Sequence, residues 1–382
     1  MKRLLTNARI ITPGQDRMGA ALLVEDGRIE GVYDVETAPM DVDELDDLEG
    51  LTLVPGFIDV HTHGANGFDV CDGNADSVRA MAEAKLGEGV TAFLPTTLTL
   101  SHEELVSSLE YVAAYRSNET GARAPSVHIE GPFINPNCAG AQNPAFVRNP
   151  DAEEIRTLHQ IVPVGVVSVA VEMEGGIDFV AEMHAMGIRT SLAHTAATHA
   201  QFAEAKAAGL TNLTHFCNQQ SGLHHREIGV VGSGLMDDEI MIELICDTIH
   251  LCPDMLRLIF KLKPLNQLML ITDSMAASWL PDGPSEIGGL EVQVKNGEAR
   301  LSNGALAGST LRFDAGLRHV HQLTNIPLSE LIAATSWNQA QMLGWPGFGK
   351  LEAGFHADIA VLDADLQVKR TMVGGEWRFG AA

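Results

Sequence analysis

The chain has 382 residues, with 25 Lys+Arg against 50 Asp+Glu and a formal net charge of −25. Charge of that sign repels phosphate backbones and anionic lipid, which argues against nucleic-acid or membrane-surface binding as the main activity. With 45% apolar and 20% charged residues, the composition is that of a globular protein with a large core rather than a disordered chain.

The opening MKRLLTNARIITPG has two early basic residues but lacks the apolar run of a signal peptide, and no stretch reaches the ~18 to 20 apolar residues of a membrane span. Runs at 4–11, 20–24 and 28–33 read as strands, the last two flanking Asp26-Gly27, a hairpin signal. The C-terminal runs 357–362, 368–373 and 376–379, the last after Gly374-Gly375, read the same way. Each end is too small to bury a core alone, so residues 1–53 and 346–382 are expected to share one small β domain.

Between them, strand-length apolar runs at 57–60, 91–97, 126–130, 164–171, 189–193, 212–216, 241–246 and 268–272 alternate with helical patterns. Ser101-His-Glu-Glu104 is a capping box opening a helix through Tyr115, and Asp151 with Glu154 opens another. Segments 176–186, 198–208, 253–262, 309–323 and 328–343 complete the helices. The alternation predicts an α/β fold, a (β/α)8 barrel over 54–345, with a doubly wound open sheet as the alternative that strand number does not exclude. Segment 288–306 reads as a β-hairpin around Asn296-Gly297, inserted after the eighth strand.

In such a barrel the carboxyl ends of the strands face the active site. The first strand ends Asp59-Val-His61-Thr-His63, and residues i and i+2 of a strand share a face, so both imidazoles can point at one ion. The third ends His128-Ile-Glu130-Gly131-Pro132, the fifth Ala193-His194-Thr195, the sixth Thr214-His215-Phe216 and the eighth Thr272-Asp273-Ser274. Singly, each is more readily a satisfied polar residue than a ligand. Together, ligand-type residues at the ends of five strands point to a metal centre.

Five cysteines without a C-x-x-C pair argue for a reducing compartment and a cytoplasmic location. Cys217, Cys246 and Cys252 read as core thiols, and His159, His184, His319 and His321 fall on helices without partners at metal spacing. Trp279, in the loop after Asp273, reads equally as pocket lining or as packing for the hairpin.

The segments VPGFIDVHTHG, HIEGPFINP, AHTAAT, LTHFCN, LHHREIGVVG, ICDTIHLCPDM and LITDSMAA follow in order, nearly end to end, motifs of the N-acetylglucosamine-6-phosphate deacetylases. The chain resembles that family of the amidohydrolase superfamily. The resemblance implies a TIM-type barrel beside a small β-sandwich made by both termini. It implies that Glu130, His194 and His215 hold one divalent metal, zinc or iron first among candidates. His61 and His63 then support a second, with Glu130 bridging and Asp273 as ligand and proton-transfer acid/base. Ala141, Gln142, Asn218, Gln219, Arg226, His250 and Leu306 fall at substrate-binding positions, with Arg226 on the phosphate and, in some members, reaching across a dimer interface. A homodimer acting on an amino sugar phosphate is therefore expected, with neither nucleic acid nor membrane as partner.

Four positions depart from the family pattern. Gln142 stands where a histidine is usual, Gln219-Gln220 replaces a small residue and methionine, Thr248 replaces glycine and Ser274 alanine. These leave the galactosamine epimer or another N-acyl amino sugar open as substrate. A cyclic-amide hydrolase would bridge its metals with a modified lysine on the fourth strand, and 164–171 contains none. A nucleobase deaminase would need a Glu shortly after His194 or His215. A non-catalytic metal-binding relative would tend to lose the acid at Asp273.

Overall fold

Eight parallel strands make the centre of the protein, a computed structural model that describes residues 1–380. They are β1 (Phe57–Thr62), β2 (Val90–Thr97), β3 (Val127–Ile129), β4 (Val164–Val169), β5 (Arg189–Leu192), β6 (Asn212–Leu213), β7 (Met241–Ile245) and β8 (Leu268–Ile271). Helices follow each strand: α1 (Ala75–Leu86), α2 (His102–Arg116), α3 (Ala152–Ile161), α4 (Gly176–Ala185), α5 (His199–Ala208), α6 (Gly229–Met236), α7 (Pro253–Leu262) and α8 (Phe313–Thr324). Both faces of the sheet are covered, which is why β1 and β2 are buried at every position, polar residues included. Neighbouring strands pair from β1 round to β8. At the seam between β8 and β1, the bridge Thr62–Ser274 stands in place of a ladder.

The helix starts follow local chemistry. Ser101 and Glu104 form the reciprocal capping box, Thr198 and Gln201 form a second, and Asp151 accepts from the N–H groups of Glu153 and Glu154. Sequence reading missed two helices. One is α1; the other is α6, GVVGSGLM, whose buried glycines and lack of charge leave no polar face to read. The expected helix 328–343 is broken into α9 (Leu328–Leu331), a 3-10 turn Ile332–Thr335 and α10 (Trp337–Leu343), because Ser336 (φ −159°, ψ −47°) leaves the helical region.

The insertion after β8 is a three-stranded antiparallel sheet, Gly283–Ile287, Leu290–Lys295 and Glu298–Leu301. The anticipated hairpin turns at Asn296 and Gly297, both at positive φ, and the first strand lies ahead of the expected boundary. The two chain ends share one eight-stranded sheet. Ile359–Leu362 pairs antiparallel with Thr52–Pro55, which pairs in parallel with Lys2–Thr12. Leu5, Ile10, Leu22, Leu53, Ile359 and Met372 meet in a core of their own. No helix among the described residues is long and apolar enough to cross a membrane. All five cysteines are free; Cys246 is buried as expected, but Cys252 is exposed, because it caps the solvent-facing start of α7.

Candidate active site

Six ligand-type side chains converge at the carboxyl end of the barrel, all at least nine-tenths buried: His61, His63, Glu130, His194, His215 and Asp273. His61 and His63 are on or just past β1, two residues apart, and share a face. Glu130 follows β3. His194, His215 and Asp273 lie two residues beyond β5, β6 and β8, and all three adopt left-handed backbone, with φ of 45°, 31° and 49°. Non-glycine residues rarely hold that conformation unless their surroundings enforce it. Gly131, at φ +76°, is needed beside Glu130, since a Cβ there would lie 2.0 Å from Thr99 Oγ1.

Two triads result. In the first, Glu130 Oε1 lies 3.0 Å from His215 Nε2 and 3.5 Å from His194 Nε2, and the two imidazole nitrogens are 3.1 Å apart. In the second, His61 Nε2 and His63 Nε2 are 3.2 Å apart and lie 3.5 and 3.3 Å from Asp273 Oδ1. Glu130 touches this group too, Oε1 at 3.4 Å from His61 and Oε2 at 3.2 Å from His63. Ligands tetrahedrally placed ~2.0–2.1 Å from one ion are separated by roughly 3.4 Å. Both triads have that spacing, and Glu130 bridges them.

The hydrogen bonds behind the rings show what they await. His63 Nδ1 faces Thr96 O (3.1 Å), His194 Nδ1 faces Cys138 O (2.8 Å) and His61 Nδ1 faces Glu243 Oε2 (3.2 Å). Those acceptors fix a proton on Nδ1 and turn Nε2 towards the centre, where it can ligate an ion on giving up any proton it shares with the facing carboxylates. Glu130 Oε1 is buried without a hydrogen-bond donor. Several lone pairs meeting at one point require a cation, so the donor set fits a divalent metal. Burial opposes charge on the His63 ring, yet Asp273 and Glu130 lift it to about 9. Burial likewise opposes an ionised Asp273, but His61 and His63 hold it down at about 2. His61, His128 and Glu243 also cluster, but the His128 nitrogens are taken by Val60 O and Ser168 Oγ.

Over the triads lies a cavity of about 260 Å³, lined by Ala141, Gln142, Asn218, Gln219, His250 and Leu306 as well as by ligands. Gln142, 5% exposed, donates to Glu130 Oε2 (2.6 Å) and accepts from the Thr99 N–H (2.7 Å), so its amide braces the bridging carboxylate. His250 is held through Nδ1 by Asp247 (2.7 Å); burial opposes its charge, but Asp247 raises its pKa. Arg226, by contrast, is exposed, contacts its neighbour His225 and lies outside the cavity of its own chain. Trp279 does not line the cavity: it donates to Glu88 (2.8 Å) and packs under Arg312.

Sequence reading missed the residues behind the ligands. Glu243 is a fully buried acid inside the apolar run MIELI, which is the signal that marks it. Asp59 shares the face of His61 two residues on and, with Glu88, pairs with the fully buried Lys85 of α1. Ser274 joins the same group, at 2.9 Å from Lys85 Nζ.

Comparison with known proteins agrees with this geometry. A model of the Amidohydrolase family matches residues 52–378. The chain is 34% identical to an N-acetylglucosamine-6-phosphate deacetylase of Bacillus subtilis, covering 98% of this chain and 97% of that one. It is 35% identical to an N-acetylgalactosamine-6-phosphate deacetylase of Escherichia coli O157:H7, covering 98% and 99%. Among solved structures it resembles an aspartate-to-alanine mutant of the Mycobacterium smegmatis N-acetyl-D-glucosamine-6-phosphate deacetylase, in complex with N-acetyl-D-glucosamine-6-phosphate. That match has a TM-score of 0.92 and 29% identity, over 99% of each chain. The chain is thus a hydrolase of the amidohydrolase family, and within it belongs with the N-acetylglucosamine-6-phosphate deacetylases.

Proposed function

We propose that the protein hydrolyses the N-acetyl group of N-acetylglucosamine-6-phosphate, giving glucosamine-6-phosphate and acetate. The observation that carries the reading is the convergence of two ligand triads and Asp273 at the floor of one cavity, in a chain whose full-length relatives are named for this reaction.

The ligand set is Glu130, His194 and His215 for one divalent ion and His61, His63 and Asp273, with Glu130 shared, for a second; zinc and iron are the first candidates. An ion held by these residues would polarise an amide carbonyl and would lower the pKa of a water beside it towards neutrality. Asp273 faces the cavity beside the ligand triads, so its carboxylate takes the proton of the attacking water and returns it to the departing nitrogen. His250, oriented by Asp247 through Nδ1, presents Nε2 to donate to the carbonyl oxygen as negative charge develops. Asn218 gives its amide N–H groups to His215 O (3.1 Å) and Phe216 O (3.3 Å), which leaves its carbonyl oxygen for a sugar hydroxyl. Gln142, Gln219, Ala141 and Leu306 shape the remaining wall. A cytoplasmic homodimer belongs to the same proposal, supported by five free thiols and by the exposure of Arg226, which needs a second subunit to meet a substrate.

The galactosamine epimer is the second reading, favoured by the E. coli relative's name and by Gln142 and Gln219 on the cavity wall. Acetate release from the two epimeric 6-phosphates and from unphosphorylated N-acetylglucosamine, with Asp273→Asn as control, separates these. Fast turnover of the glucosamine substrate, lost by about 10² to 10⁴ in the control, supports the proposal. Preference for the epimer transfers it to the second reading, and silence on all three overturns both.

A further inference from the structure

We infer that His128, which spends both ring nitrogens elsewhere and so ligates no ion, is the positioning residue that keeps the two ion sites close enough for Glu130 to bridge them. The inference rests on the two-ion reading proposed above. His128 is fully buried inside the barrel, with Nδ1 at 3.2 Å from Val60 O and Nε2 at 2.8 Å from Ser168 Oγ. A carbonyl oxygen only accepts, so the ring donates through Nδ1 and accepts the Ser168 hydroxyl through Nε2. A buried histidine tied in this way has no part in the chemistry described so far.

Its location gives it one. β1 and β3 are not neighbours, since β2 lies between them, so the bond from His128 to Val60 is a chord across the barrel and not a rung of a ladder. It joins the residue just before His61 to the residue two before Glu130. The β1–β2 ladder is irregular at this level: Asp59 pairs with Phe93 and Thr62 with Pro95, three steps against two, and a proline has no N–H to give. The His128 ring also stands edge-on to His61, with centroids 4.7 Å apart. On its other side Ser168 Oγ meets Thr214 Oγ1 at 3.1 Å, just before His215. One buried polar layer thus underlies both triads, and His128 is the member that reaches from one to the other. Glu130 moves with β3, which is laddered through β4 and β5 to β6 and so to His194 and His215. A slide of that block against β1 would keep the contacts of Glu130 with His194 and His215 and open those with His61 and His63, and the chord opposes it.

The test is metal loading followed by metal analysis and by electron paramagnetic resonance of the Mn(II)-loaded protein, comparing wild type with His128→Phe, His128→Asn and His128→Gln. Two Mn(II) ions that share one carboxylate are spin-coupled, whereas a single ion is not. The wild type is expected to take up two ions and give a coupled spectrum. His128→Phe keeps the ring's bulk but neither bond, and should bind the second ion about 10- to 100-fold more weakly, losing the coupling while the first ion stays. Asn places an amide near the position of Nδ1 and Gln near that of Nε2, so His128→Asn should recover the coupling and His128→Gln should not. Coupling retained in His128→Phe, equal weakening of both ions, or equal behaviour of the Asn and Gln variants would overturn the inference, because a residue that only filled the barrel would not distinguish the two ions or the two amides. If His128→Phe does not fold, the contrast between Asn and Gln decides alone. A wild type that binds one ion overturns the two-ion reading itself and the inference with it, a result visible before any variant is made.

Discussion

Glu130, His194 and His215 stand at the ends of β3, β5 and β6, and from β3 to β6 every neighbouring pair is joined by parallel ladder pairing. His61, His63 and Asp273 stand on β1 and just beyond β8, where one bridge and a few backbone bonds replace the ladder: Asp273 N–H to His61 O and His63 N–H to Ser274 O, both 2.9 Å. On the ladder side, His194 is oriented by a backbone carbonyl. At the seam, side chains take over. Lys85 Nζ reaches Asp59 (3.1 Å), Glu88 (3.2 Å), Thr272 (3.1 Å) and Ser274 (2.9 Å), and Asp59 in turn accepts from the Thr272 hydroxyl (2.6 Å) and its N–H (3.2 Å). The ladder side thus sets its strand ends by main-chain pairing, with the Gln142 amide bracing Glu130. The seam adds to its backbone bonds, among them His63 Nδ1 to Thr96 O, a network of buried charges that single substitutions can break.

The largest test of that contrast is Lys85→Met. Burial opposes the ammonium charge, while Glu88 and Asp59 hold its pKa up, so the group stays charged and compensates two buried acids. Removing it leaves those acids unpaired, at an expected cost of about 3–5 kcal/mol in urea unfolding. Adding Glu88→Gln to Lys85→Met should recover part of the loss, because one uncompensated carboxylate is gone. A loss below about 1 kcal/mol in the single variant would mean that the seam is held by its backbone bonds after all.

A smaller and more selective effect is expected at Glu243. Its Oε2 is 3.2 Å from His61 Nδ1, and no other side chain fixes that ring's tautomer from behind. Glu243→Gln should weaken binding of the ion at His61 and His63 by about 10- to 100-fold and affect the ion held by Glu130, His194 and His215 less, because Oε2 meets that triad only through a long 3.4 Å bond from the His215 N–H, which a glutamine oxygen can still accept. Chelator titration with metal analysis reads this without reference to activity, as loss of one ion well before the other. Simultaneous loss of both would show that the triads are one coupled site. As the control on the ladder side, Cys138→Ser should shift neither ion, since His194 uses the Cys138 carbonyl and not its thiol.

The same contrast explains what could be read from the sequence. Strands and ligands were legible because β1 and β2 are buried on both faces, and because ligands at strand ends fall at fixed offsets from apolar runs. His61 and His63 share a face by period-two geometry, and their place at a strand end among other ligand-type strand ends is what made the pair legible. The seam was not legible: Lys85, Asp59 and Glu88 come from a helix missed in the reading, from a strand interior and from a helix end, and only folding brings them together.

The smallest expected effect lies outside both triads, at Thr248. This β-branched residue sits at φ 66°, just before His250, where the family pattern favours glycine. Left-handed backbone costs a non-glycine residue roughly 1–2 kcal/mol, and glycine's extra unfolded-state freedom takes back about 0.5–1 of any gain. Thr248→Gly should therefore stabilise the fold by a net amount between zero and about 1.5 kcal/mol, read as a small rise in the urea midpoint at constant m. The turn also sets where His250 stands, through the Asp247 carboxylate that accepts from the N–H groups of Ile249 and His250 (2.8 Å each). If the relaxed turn keeps those bonds, kcat is unchanged and the strain is incidental. If kcat falls while stability rises, the strained threonine is what aims the imidazole at the cavity, and the turn joins the seam as a region that gives up stability to position a functional group.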